Sequence, residues 1–138
     1  MLSSFAFCKL MLKTVLRIHS VAAASYAVVL LFFPRFFWQL TAKDAATDFG
    51  LSVAQLLGAP MVVMTCVTWI ASGLTDSKIQ RSLASAILLY LCTGFVVTLM
   101  QQVQGKWGTL GWSSPVSYVS FAALYTIALL RKRSVSVH

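Results

Sequence analysis

The chain has 138 residues, of which 59% are apolar and 10% charged, with a mean hydropathy of +0.82. Soluble domains run at about 45–50% apolar and about 25% charged, so neither a water-soluble globule nor a disordered chain fits this composition. An integral membrane protein does, and the formal charge of +8, eleven Lys and Arg against three Asp, then reads as loop charge that sets orientation and not as a nucleic-acid surface.

The first 17 residues carry Lys9, Lys13 and Arg17 at every fourth position, which places them on one helical face with Phe5, Leu12 and Leu16 among the apolar residues around them. No acid precedes Asp44. Three readings stay open for this segment: a basic amphipathic lead-in on the membrane surface, a mitochondrial import sequence, and a cleaved secretory signal. The last fits least, because the apolar run that follows ends in Pro34, Arg35 and bulky aromatics and not in small residues.

A helix needs about 20 mostly apolar residues to cross a hydrocarbon core about 30 Å thick. Four stretches have this character, at residues 18–37, 49–70, 83–100 and 115–130. All are continuous apolar runs without the alternation of membrane strands, so the sequence predicts an all-α, integral membrane four-helix bundle in a single domain. The fourth stretch is the shortest, and Trp112 at one end with Arg131, Lys132 and Arg133 at the other extend its reach.

The links carry the punctuation that helix ends require. Asp44 and Asp48, before the second span, suit the partial positive charge of a helix N-terminus. Gly73 reads as a C-terminal cap and Ser77 with Gln80 as a capping box. Gly105, Gly108 and Gly111 mark the longest link, and Ser114 before Pro115 reads as an N-cap with proline at the first helical position. Lys9, Lys13, Arg17, Lys78, Arg81, Arg131, Lys132 and Arg133 fall on one side of this topology, and Arg35, Lys43 and Lys106 on the other. The first side is expected to be the inner one, with both termini inside. Phe36, Phe37, Trp38, Trp69, Trp107 and Trp112 cluster at span ends, as interfacial rings do.

Candidate chemistry is sparse. His19 is expected to be an interfacial polar residue at the inner end of the first span, and Cys66 and Cys92 buried apolar fillers. No phosphate loop, metal-binding His or Cys spacing or nucleophile elbow is present in the sequence, and it nominates no catalytic, cofactor-binding or metal-ligating residue. The informative segment is Gln55 to Pro60 in the second span. Gly58 permits close approach of a neighbouring backbone, Pro60 deprives the Leu56 carbonyl of its donor and should kink the helix, and a Gln55 amide in lipid needs a partner. Tyr26, Tyr90, Thr93 and Tyr118 are candidate partners. These three residues, Gln55, Gly58 and Pro60, mark either a packing kink or the wall of a small polar pocket. Small residues also recur at fourfold spacing as Ser20 and Ala24, Ala23 and Ala27, Ala54 and Gly58, and Ala86, Tyr90, Gly94 and Thr98, a pattern that lets helices approach.

Three segments carry a resemblance: LSVAQLLGAPMVVMTCVTWIA at 51–71, QQVQGKWGTLGW at 101–112 and FFPRFFWQL at 32–40. Together they resemble small four-span membrane protein families of unknown function, with a small-residue motif in the second helix and a Gly-rich turn ending in Gly-Trp before the fourth. A looser likeness, in topology alone, is to the four-span scaffold family of sterol biosynthesis. The resemblance implies a fold and no activity. The sequence thus points to a non-enzymatic scaffold or subunit of a membrane complex; the alternative is an oligomeric carrier or channel for a small neutral or apolar molecule. The expected partners are the lipid bilayer and, through helix faces, another membrane protein or a second copy, with no nucleic acid.

Overall fold

Proline decides where the first long helix stops. The computed structural model describes residues 4–42 and 44–130, with side chains from residue 10; Lys43, Arg131, Lys132, Arg133, His138 and the side chains of Phe5, Cys8 and Lys9 lie outside the described residues. Five α-helices follow one another as α1 (Ser4–Phe32), α2 (Pro34–Thr41), α3 (Asp48–Gly73), α4 (Ser77–Val103) and α5 (Ser113–Leu130), the last entered through a 3-10 turn at Thr109–Trp112. Pro34 has no N–H to offer the Leu30 carbonyl, so the chain leaves the helix at Phe33 and restarts with proline at the head of α2.

The described chain is all-α, as the sequence predicts, and four of its helices are long and apolar enough to cross a membrane: Leu10–Phe32, Asp48–Gly73, Ser77–Val103 and Thr109–Leu130. The first of these begins eight residues before the expected Ile18 and stops at Phe32, short of the expected Phe37. Leu12, Val15 and Leu16, expected on the membrane surface, are instead among the most deeply packed residues. The reason is a seam: the buried positions 12, 16, 19, 23, 27 and 30 recur at spacings of three and four, the period of helix packing, and the seam overrides the basic face. Lys13 is half-buried beside it and Arg17 exposed.

The structure assigns the helix ends differently from the sequence reading. The N-cap of α4 is Asp76, whose carboxylate accepts from the backbone N–H of Lys78 at 2.7 Å and Ile79 at 3.3 Å. Gln80 is therefore not half of a capping box; it is buried and donates from Nε2 to the Ala71 carbonyl, 3.0 Å away, which ties the start of α4 to the end of α3. Gly73 remains helical, and the cap residue is Leu74. At α3 the N-cap is Thr47, whose hydroxyl accepts from Gly50 N–H at 3.0 Å; Asp48 lies in the first turn and Asp44 outside the helix. Ser114 is inside α5 and not its cap, because the 3-10 turn feeds the helix directly.

The helices pack as two hairpins. α1 runs along α3, α4 along α5, and α1 against α5 joins the two, whereas the consecutive α3 and α4 touch little. Near the 74–76 turn all the long helices feed one core, with Leu12 and Leu16 from α1, Ala71 from α3, Ala84, Ile87 and Leu91 from α4, and Tyr125 and Ala128 from α5. The Arg81 guanidinium closes this end by donating to the Leu129 carbonyl at 2.8 Å, an orphan acceptor of the last turn of α5. The opposite end is held by backbone. Gly105, at φ 72°, turns the chain out of α4; Gly108 N–H then donates to the Thr41 carbonyl at 2.7 Å, and Trp107 forms an isolated antiparallel bridge with Ala42.

Candidate functional site

The α1–α3 contact is built from small residues. Ala23, Ala27 and Leu30 of α1 and Ala54 and Gly58 of α3 are all buried. A Cβ on Gly58 would stand 2.6 Å from Cγ of Leu31 and 3.4 Å from Cβ of Leu30, so the two helices approach as closely as glycine allows. About two helical turns away, a Cβ on Gly50 would meet the Trp38 ring at 2.8 Å, which is how α2 seats on α3. Ser20 adds an interhelical bond, donating to the Thr65 carbonyl at 3.0 Å. The α4–α5 pair uses the same device: a Cβ on Gly94 would meet the Tyr118 ring at 2.5 Å, and the hydroxyls of Tyr118 and Tyr90 lie 3.4 Å apart. Ala86 is exposed, so the expected stripe is shifted; Ala84 is the small residue on the buried face.

Gln55 finds a partner that side-chain reasoning did not nominate. Its Nε2 donates to the Leu31 carbonyl at 3.4 Å, at the end of α1 where the helix breaks before Pro34. Tyr26 instead meets Phe37 edge-on at 6.3 Å, Tyr90 meets Tyr118, and Thr93 bonds back to the Leu89 carbonyl at 3.0 Å. Gln55, Gly58 and Pro60 do not form one pocket. Gln55 is exposed at a groove, Gly58 is buried against α1, and Pro60 is exposed within a helix that continues through it from Asp48 to Gly73. Cys66 and Cys92, expected to be buried, are exposed free thiols on the outer faces of α3 and α4.

The groove lies at the corner where α1, α2 and α3 meet. It is half open, about 660 Å³ in volume, and lined by Phe32, Phe33, Pro34, Arg35, Phe36, Gln39, Asp48, Leu51, Ser52 and Gln55. That volume is in the range that holds a small ligand. Arg35 and Asp48 were read in the sequence as an orientation charge and a helix-dipole partner. The signal that could have joined them was Pro34, which folds α2 back towards the start of α3.

A second polar locus sits inside the helices. His19 is buried, 6% exposed, nine residues along the first membrane-long stretch, which starts at Leu10. Its Nδ1 lies 3.1 Å from the hydroxyl of Tyr125, which is fully buried, and its ring stacks on Phe121 at 4.6 Å between centroids. The heptad-like seam was the missed signal, since His19 follows Leu12, Val15 and Leu16 on the same face. Among the described residues, every buried side-chain nitrogen and oxygen has a hydrogen-bond partner. His19, Ser20 and Gln80 bond across helices, whereas Thr41, Thr68 and Ser72 bond back to carbonyls of their own helix.

No family model, curated protein or solved structure matches this chain. The geometry therefore stands by itself: an all-α chain of multi-pass membrane character, a corner groove of mixed charge, and a core in which every described buried side-chain nitrogen and oxygen has a hydrogen-bond partner.

Proposed function

We propose that the protein is a non-enzymatic scaffold or subunit of a membrane complex, inserted with both termini and the 74–76 turn on the inner side. The observation that carries this reading is the unequal burial of the spans. In α1, 39% of the most apolar window is buried, whereas in α3 and α4 the share is 17% each. Two long helices thus keep most of their surface for the surroundings. Leu89 (70% exposed), Val63 (62%) and Val96 (53%) typify those faces, and the small-residue patches buried inside the hairpins are already used. A subunit needs stable hairpins with faces left over, and α3 and α4 supply them. The orientation rests on the Lys and Arg distribution, eight against three.

Photo-cross-linkers placed singly at Leu89, Val96 and Val63 in native membranes should give discrete protein adducts of one size, while positions on α1 such as Val21 give lipid adducts. Lipid adducts at every position, together with solute flux through vesicles holding the purified chain alone, would overturn the scaffold reading in favour of a carrier. For orientation, cysteines introduced one at a time at Ser77 and Thr109, in a background lacking Cys8, Cys66 and Cys92, are treated with an impermeant thiol reagent in intact cells or organelles. The expected result is labelling at Thr109 and none at Ser77. The reverse pattern refutes the orientation.

A further inference from the structure

The corner groove has a vertical order of chemistry. Phe32 is the last residue of the first membrane-long helix and Asp48 the first residue of the second, so the charged rim of the groove lies at the ends of the two helices. Arg35 on α2 and Asp48 on α3 line that rim with opposite charges; they form no ion pair with each other. Ser52 and Gln55 come next, four and seven residues along α3, which at 1.5 Å per residue is about 6 and about 10 Å deeper. Gln55 Nε2 has two hydrogens and spends one on the Leu31 carbonyl, which leaves a donor. Apolar walls from Phe32 and Leu51 complete the lining.

A cation and an anion at the interface, an amide donor beneath them and apolar walls around it match one class of molecule from the charged end down. We propose that this groove binds a zwitterionic glycerophospholipid, with its phosphate on the Arg35 guanidinium, its ammonium on the Asp48 carboxylate and an ester carbonyl at the Gln55 amide. Arg35 supplies the planar fork that phosphate oxygens accept from. Asp48 gives the site its discrimination: it attracts the ammonium of an ethanolamine or choline headgroup and repels a headgroup that carries phosphate alone. It lies in the first turn of α3, at the positive end of the helix dipole. The depth of the rim argues for a lipid over a water-borne ligand, because a bilayer presents phosphate, ammonium and ester at these heights all the time. The inference is independent of the scaffold reading, as a lone monomer would carry the same groove.

The test is retention of lipid by the purified full chain. Protein in bilayer discs of equal phosphatidylethanolamine and phosphatidylglycerol is released into the gas phase, and the lipids that stay bound are weighed. Phosphatidylethanolamine should be retained about tenfold over phosphatidylglycerol, the factor that corresponds to about 1.4 kcal/mol. Arg35→Gln should lower retention of both lipids, and Asp48→Asn should abolish the preference by admitting phosphatidylglycerol. Asp76→Asn, which touches only the cap of α4, should leave the preference unchanged. Since a variant can lose its fold, the unaltered chain is also stripped of lipid and titrated: phosphatidylethanolamine should raise its melting temperature more than phosphatidylglycerol does. Equal retention of the two lipids, equal melting shifts, or a preference untouched by both groove variants would each overturn the proposal.

Discussion

The two ends of this molecule are fastened in different ways. Around the 74–76 turn, four helices share an apolar core with fully buried residues such as Leu16 and Tyr125, and side chains of Gln80 and Arg81 sew the helix ends together. At the other end the α1–α3 and α4–α5 hairpins are separate pairs, each close-packed on a glycine, and the 104–112 segment clasps α2 through main-chain bonds. The comparison teaches where bulk helps and where it harms. In lipid, apolar side chains gain nothing by leaving water, so the closed end is stabilised by close contact of large side chains, and the clasped end by the removal of side chains altogether.

That contrast can be broken from either side. Leu16→Ala should have the largest effect, because it removes contacts in a core where Leu16 is 0% exposed; a loss of about 2 kcal/mol or more is expected, read by denaturant unfolding in detergent micelles. Gly58→Leu should come next. Added bulk must displace Leu31, whose Cγ stands 2.6 Å from the Cβ position, at about 1–3 kcal/mol. If Gly58→Leu is as stable as the parent, the close approach of α1 and α3 is wrong. The clasp is broken by Gly108→Pro: φ of −72° suits proline, but the ring takes the place of the N–H that donates to Thr41 and must push that carbonyl away. A loss of about 1 kcal/mol or more is expected, with faster hydrogen exchange confined to α2 and the following loop. Gln55→Leu should be the mildest, near 0.6 kcal/mol on average for interhelical bonds in membranes, and measurable as a small fall in melting temperature. A large loss there would make the Leu31 bond a main fastening of that end, contrary to the backbone clasp.

The number and type of the long helices were legible because a continuous apolar run of this length has few other uses. Gly58 was legible too, since small residues at fourfold spacing on an apolar helix point to close packing, and the Leu31 contact is what that pattern requires. The boundaries of α1 were not. Lys13 and Arg17 looked like surface charge, and the seam through Leu12, Leu16 and His19 was outweighed by them. The pairing of Gln55 was also illegible, because its acceptor is a carbonyl, and every residue has one. Which carbonyl is short of a donor depends on where a helix breaks, and Pro34 gave only half of that information. The groove needed a tertiary fact, the folding back of α2 onto Gly50, that no spacing within α2 or α3 encodes.

The hydrogen bond between His19 and Tyr125 joins residues 106 positions apart, and α1 meets α5 while barely needing α4. Apart from this contact and the clasp between Thr41 and Gly108, the main packing is between neighbours in the chain: α1 with α3 across α2, and α4 with α5. Short loops close with little loss of entropy, so the first hairpin can assemble before the second has been synthesised. The second then docks on the first twice, α5 on α1 and the loop before α5 on α2. Biogenesis should therefore proceed as two insertion events and a final docking, and the imidazole–phenol contact marks the moment when the two halves become one protein.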